Sequence, residues 1–305
     1  MSHTFLRFLV TLICAGSLVA PAASRAAELK EETLKTWDAY LQAANSQMGS
    51  RLQGSFLWVD EVPDRQQRVR GGEILVSSTG QENPKPVPSG LIHDWIGAAF
   101  IPDARLEDIL SAVRDYGDYK EFYKPTVVDS KLLGTDGACD KYSMRVVNKE
   151  AVAETALDME YKTCYHRIDE HRWYSITETT RVQELRHYGR ANEQELSPDH
   201  GTGFIWRLYS VARFEERDGG IYVELEAVAL SRDVPSALRW VVNPIVRRVS
   251  RNSMLVSLQQ MEEAVNSTEA ANRKATASTV AANRYRSAIA SGVGIGNRLV
   301  PRQKP

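Results

Sequence analysis

Cysteine is scarce, with 3 residues in a chain of 305. That excludes a disulfide framework and a multi-cysteine metal cluster. Histidine is nearly as sparse, at 6. No H-E-x-x-H, G-x-S-x-G or G-x-x-x-x-G-K-[ST] pattern occurs, so zinc-protease, hydrolase and phosphate-loop chemistries have no anchor. Gly292, Gly294 and Gly296 are no dinucleotide fingerprint, since no strand precedes them and no helix follows. No cofactor is expected. Charge of one sign is missing too: 38 Lys and Arg stand against 39 Asp and Glu, a formal −1. A nucleic-acid partner would need a basic excess and is not expected. The apolar run at residues 8–20 is too short to span a bilayer.

That run does have the surroundings of a secretory leader. Arg7 precedes it, and the small-residue stretch from Pro21 to Ala27, with A-x-A-like cleavage sites, follows. Residues 1–27 are therefore expected to be a cleaved signal peptide, and the mature chain periplasmic or secreted. Cys14 goes with the leader, and bulky Ile13 before it argues against a lipoprotein cysteine. Cys139 and Cys164 remain, in an oxidising compartment, on successive expected strands equidistant from a turn near residues 151–152. They either face each other as a cross-strand disulfide or stay as two separate buried thiols.

With 43% apolar and 25% charged residues, the chain has the composition of a globular fold. Residues 28–48 carry Leu34, Trp37, Leu41 and Ala44 at helical spacing. Residues 55–59 and 73–77 read as two strands around a polar loop at Pro63, Asp64 and Arg65. Residues 81–90, with three prolines, read as a linker. Residues 28–89 are thus expected to form an N-terminal extension of one helix and a strand pair. The main domain spans residues 90–265. A strand at 91–101 stops at Pro102, and short helices follow at 103–113 and 119–123. Six strands come next, at 127–133, 141–148, 155–167, 173–184, 204–215 and 221–230. Turn signals such as Asp218-Gly219-Gly220 separate them, so strands joined by short turns are antiparallel neighbours. In the long helix that follows, Leu238, Val242, Ile245, Val249 and Val256 make an apolar stripe. Pro244 is expected to kink or break it, with Asn243 capping the second segment. Residues 266–305 are expected to be mostly disordered, with room for a short helix near 268–290.

This order of elements resembles the START/polyketide-cyclase-like (SRPBCC) superfamily, and an exported bacterial group within it. The most telling part is the end: a last strand from Tyr222 to Ser231, then a helix bearing Trp240 and Pro244. The resemblance implies an α+β helix-grip fold. A seven-stranded curved antiparallel sheet wraps around a long C-terminal helix, with two short helices after the first strand, over a deep apolar cavity. It implies a binding or carrier protein for an apolar or amphipathic small molecule or lipid. A cyclase/aromatase-type enzyme using the same cavity is the alternative, and a structural envelope protein with a filled core is the third reading. No superfamily motif marks catalysis universally, so no catalytic residue is carried over.

Candidate cavity residues follow from strand and helix periods. Val223, Leu225 and Ala227 share the apolar face of the last strand. Trp206 and Leu208 are assigned to the cavity on the strand before, with Arg207 outside. Met144 and Met159 lie on neighbouring strands and suit an adaptable wall. Leu238, Val242 and Ile245 close it from the helix. For residues 173–184 neither face is clearly apolar. Ordinary core packing accounts for each of these residues as well. Glu224 and Glu226 either meet water or the extension, or turn inward against Arg207 or Arg181. His93 and Asp94 are adjacent in a strand, so they point to opposite faces and cannot act as a base and its orienter. Cys164 and His166 begin no four-ligand zinc spacing. Arg239, Arg247, Arg248 and Arg251 read as a solvated helix face or as a contact to a membrane surface.

Overall fold

A computed structural model of the chain describes residues 27–80, 82–150 and 153–290. The expected leader lies outside the described residues except for Ala27, as do residues 291–305. The chain opens with strand β1 (Ala27–Glu28), helix α1 (Glu31–Gln53), a 3-10 turn (Trp58–Glu61) and helix α2 (Pro63–Arg70). Strands β2 (Leu75–Ser78), β3 (Lys85–Val87) and β4 (Gly90–Pro102) follow, then helices α3 (Leu106–Val113) and α4 (Tyr119–Phe122). Next come β5 (Val127–Asp136), β6 (Cys139–Glu150), β7 (Ala153–Arg167) and β8 (Arg172–Arg186). Short β9 (Gln194–Glu195) and β10 (His200–Gly201) precede the hairpin of β11 (Arg207–Arg217) and β12 (Gly220–Arg232). A 3-10 turn (Ser236–Leu238) leads into helix α5 (Arg239–Ala290).

The seven long strands form one antiparallel sheet in the order β4-β12-β11-β8-β7-β6-β5, with β2 and β3 on β4 and β9 on β8. With the long C-terminal helix this is the α+β helix-grip arrangement. The central hairpin is local chemistry: Arg217 pairs with Gly220, leaving Asp218 and Gly219 as the turn. Their φ values of 57° and 81° are what a type I′ turn requires. Cys139 and Cys164 are register partners on β6 and β7, and their sulfurs are bonded.

Helix α5 grips the sheet through its stretch from Met254 to Val265. Met254, Leu258, Met261 and Val265 pack with Ile101, Phe214, Ile221 and Val223. The helix comes closest to β4 at Gly97, where a Cβ would lie 2.7 Å from Leu258 Cδ1. A side chain there would lift the helix. In residues 239–253 no described side chain is buried, so this first stretch stands off the sheet. The helix runs through Pro244 without a break, because proline removes a single main-chain donor. Asn243 is no cap; its Oδ1 is buried without a hydrogen-bond partner among the described residues. The helix continues to Ala290, through the span near 268–290 where a short helix was expected, along an alanine-rich run free of Gly and Pro; the rest of the expected tail lies outside the described residues.

The extension covers the other face of the sheet. Residues 55–59 are not a strand. Their apolar side chains enter a loop and 3-10 turn, where Phe56, Leu57, Trp58 and Val59 pack on Ile96, Ala98, Phe100 and Tyr222. Leu57 and Val59 are fully buried, each contributing about 1.5–3 kcal/mol of apolar transfer. The polar loop at Pro63 is instead helix α2, with Pro63 in the first turn, where its missing donor costs nothing. The expected linker contributes β3, a third strand of the extension, paired to the start of β4. Trp37 and Met48 of α1 cover Ile92, Val211, Val228 and Leu230. Strands β4 and β12 are therefore buried on both faces.

Candidate functional site: the cavity under the C-terminal helix

Because residues 239–253 of α5 stand off, a cavity of about 790 Å³ lies between the helix and the sheet. Strand alternation decides what the sheet offers. Register pairs Thr163 with Thr177 and Tyr165 with Ser175, then Ser175 with Ala212 and Thr177 with Ser210, then Ala212 with Leu225 and Ser210 with Ala227. All of these line the cavity. Tyr119 and Tyr123 close it from α4 and the loop beyond, and Ile245, Arg248, Val249 and Val256 from α5. Ile245 and Val256 are 50% and 43% exposed, which puts the mouth along this part of the helix.

One wall is a tyrosine cluster. Tyr142 stacks between Tyr116 (centroids 4.3 Å) and Tyr161 (5.0 Å). The Tyr116 hydroxyl lies 2.9 Å from that of Tyr165 and donates to Asp140, which Arg114 grips with two bonds of 2.9 and 3.0 Å. Tyr165 donates to the Val113 carbonyl at 3.0 Å. Burial pushes the Tyr123 phenol up to about 12 and raises Tyr119, Tyr142, Tyr161 and Tyr165 above the ordinary value. These phenols are neutral donors at physiological pH. The sheet adds a hydroxyl stripe, with Thr163 and Thr177 hydroxyls 2.7 Å apart. Among the described residues no carboxylate or imidazole lines the cavity.

Apart from Asp140 behind the tyrosine wall, the buried ion pairs among the described residues lie on the opposite face. Arg213 is fully buried and bonds Glu224 at 2.9 Å and Glu226 at 3.3 Å. Glu224 also receives Arg51 of α1 at 3.2 Å and the main-chain N–H of Trp58. Burial raises its pKa from 4.5 to about 7 against the pull of both arginines. The glutamates thus meet the extension, with Arg213, not Arg207 or Arg181, as the sheet's partner. Arg207 pairs with Asp199 at 2.6 Å and Arg181 with Glu160 at 3.0 Å. His93 and Asp94 do part to opposite faces. His93 Nε2 sits 2.8 Å from Ser231 Oγ, while Asp94 accepts from Tyr40 of α1 at 2.6 Å. Burial lowers the His93 pKa to about 4, so it is neutral.

Of the residues singled out from sequence, the structure brings Met144, Leu208, Leu225, Ala227 and Ile245 to the cavity wall. Met159 is buried one layer behind, with the Tyr161 hydroxyl 3.5 Å from its sulfur. Val223 belongs to the solid core with Phe214 and Leu258. Trp206 is a correction: it precedes β11 and joins the outer cluster with Trp37 and Leu230. Its ring packs on Gly203, whose φ of 70° and missing Cβ admit it. Leu238 is exposed in the 3-10 turn, out of phase with the helix, and Val242 is half-buried away from the wall. The four arginines separate. Arg239 pairs with Asp233 at 3.0 Å, Arg248 lines the cavity, and Arg247 and Arg251 are exposed. The tyrosines and the Ser/Thr stripe were missed, although parity with Met144 would have placed Tyr142 on the wall.

No protein-family model matches the chain, and no curated protein matches it. Among solved structures it is similar to a fragment of the STAR-related lipid transfer protein from Xanthomonas axonopodis, at 15% identity and TM-score 0.40, covering 63% of this chain and 98% of that one. It is also similar to human STARD10, at 10% identity and TM-score 0.41, covering 65% and 76%. A third is the Zhui aromatase/cyclase from Streptomyces sp. R1128, at 10% identity and TM-score 0.37, covering 57% and 94%. Likenesses this distant carry no weight for function. By its own strand order and helix placement, the chain has a helix-grip fold.

Proposed function

We propose that this chain binds an apolar or amphipathic small molecule or lipid between its sheet and α5, as a carrier and not as an enzyme. The observation that carries this reading is the cavity of about 790 Å³, well inside the roughly 300–1,000 Å³ of small-molecule sites. A structural role with a filled core is the weaker reading, because packing stops at Phe214 and Met261 and leaves this space. A cyclase/aromatase role is weaker because, among the described residues, the wall holds no carboxylate or imidazole and its phenols stay protonated, so none of them is placed as a general base. The test is Leu225→Trp, which puts an indole into the middle of the wall. Uptake of a neutral apolar dye such as Nile red should fall by about tenfold or more, with folding intact by circular dichroism. Full uptake by the folded variant would refute the assignment.

The leader pattern and the bonded Cys139–Cys164 pair support export to an oxidising compartment. Contact with a membrane surface, where such a carrier would load, is supported by the start of α5. Trp240 is 80% exposed beside exposed Leu238 and Ile245, with Arg247 and Arg251 further along. Trp240→Ala should weaken co-sedimentation with anionic vesicles several-fold. An unchanged bound fraction would remove this face from the account.

A further inference from the structure

The cavity wall carries one formal charge. Among the described residues Arg248 is the only lining side chain charged at neutral pH; the others are apolar, hydroxyl or amide groups, or protonated phenols. Several other partly buried arginines of this protein close onto acids: Arg114 on Asp140, Arg145 on Asp158, Arg181 on Glu160, Arg207 on Asp199. Arg248 has no such neighbour in helical reach. Positions 244, 245, 251 and 252 are Pro, Ile, Arg and Asn. Between Asp233, which Arg239 occupies, and Glu262 the chain has no acidic residue. Arg247 and Arg251 add positive potential on either side.

We infer that Arg248 determines ligand specificity: the cavity takes an amphiphile whose polar end is an oxyanion, a carboxylate or a phosphate monoester, held at the mouth. This rests on the cavity-binding reading above. The guanidinium fork matches either oxyanion with two parallel bonds. Asn252 and Ser253, which line the cavity from the same stretch of α5, offer neutral donors beside it. The ligand's apolar body then runs inward along Leu208, Leu225 and Ala227 toward the tyrosine wall. A cationic head would meet Arg248 with no acid to offset it. A neutral head would leave the guanidinium solvated but unused.

The experiment titrates the delipidated full chain with ligands sharing one oleyl chain: oleic acid, oleyl phosphate, oleyl alcohol and methyl oleate. The expected result is that the acid or the phosphate binds about tenfold tighter than the alcohol, the gain from a charge-assisted bond at a partly solvated site. The better of the two names the oxyanion. In Arg248→Gln the preference should collapse to about twofold or less, while the alcohol binds as before. Arg248→Lys should restore part of it, Arg247→Gln should leave it intact, and added salt should reduce it. The inference is overturned if the alcohol binds as tightly as both oxyanions, if Arg248→Gln keeps the preference, or if Arg247→Gln removes it equally. In each of those cases the cavity reading survives. If none of the ligands binds, the cavity reading fails and takes this inference with it.

Discussion

On the outer face of β11 and β12, Arg213 and Glu224 are register partners held 2.9 Å apart without access to water. One residue along, on the inner face, their neighbours Ala212 and Leu225 are also register partners, and they line an open cavity. The same hairpin thus presents a sealed ionic face and an open neutral one. What differs is the cover. The extension brings Arg51 and the Trp58 N–H to the outer charges, so each acid finds partners. The inner face meets a helix that packs over residues 254–265 and stands off over residues 239–253. Polarity on that side comes from hydroxyls, which tolerate either water or a ligand.

The contrast is broken hardest at the ionic face. Arg213→Met leaves buried Glu224 with Arg51 and the Trp58 N–H only, takes from half-buried Glu226 its arginine, and should cost about 3–5 kcal/mol in urea unfolding. Adding Glu224→Leu should recover much of that loss, because an apolar pair of similar volume needs no ionic partner. A single variant within about 0.5 kcal/mol of wild type would mean that the outer face is not sealed.

A second effect is expected at His93. Its folded-state pKa is depressed from 6.5 to about 4 by burial. The unfolded chain therefore takes up the proton first. The contribution of His93 is complete above pH 6.5 and is lost as pH falls through about 4, up to about 3 kcal/mol. Glu224 acts in the opposite sense between pH 7 and 4.5, its raised pKa favouring the folded state as pH falls. Comparing wild type with His93→Gln cancels that common term. The variant should lose less stability between pH 6.5 and 4 than wild type; parallel pH profiles would contradict a buried neutral imidazole.

The smallest effect belongs to the inner face. Thr177→Val breaks the 2.7 Å bond to Thr163. It should cost about 1 kcal/mol or less, since the freed hydroxyl faces the cavity. A loss as large as that of Arg213→Met would erase the distinction between the faces.

Much of the main domain was legible in the sequence because its signals are local. Asp218-Gly219 fixes a two-residue turn, Pro102 follows the first strand's apolar run, and alternation marks the faces. The central hairpin needs nothing distant to be recognised. The extension was not legible, because residues 55–59 are apolar for the sake of Ile96, Phe100 and Tyr222, far along the chain. A short apolar run reads as a strand when its partner surface is unknown. Trp206 misled for a similar reason, since its direction is set by Gly203 before β11, outside the alternation. The tyrosine wall and the Ser/Thr stripe were hidden by the assumption of an all-apolar lining, which parity with Met144 and Leu225 would have corrected.

The most direct test of the cavity claim is native mass spectrometry of the protein purified from its own cells, before and after organic extraction. The account predicts an adduct lost on extraction, an amphiphile that reappears in the organic phase, and no adduct on Leu225→Trp. A protein without adduct that also takes up no Nile red would contradict it.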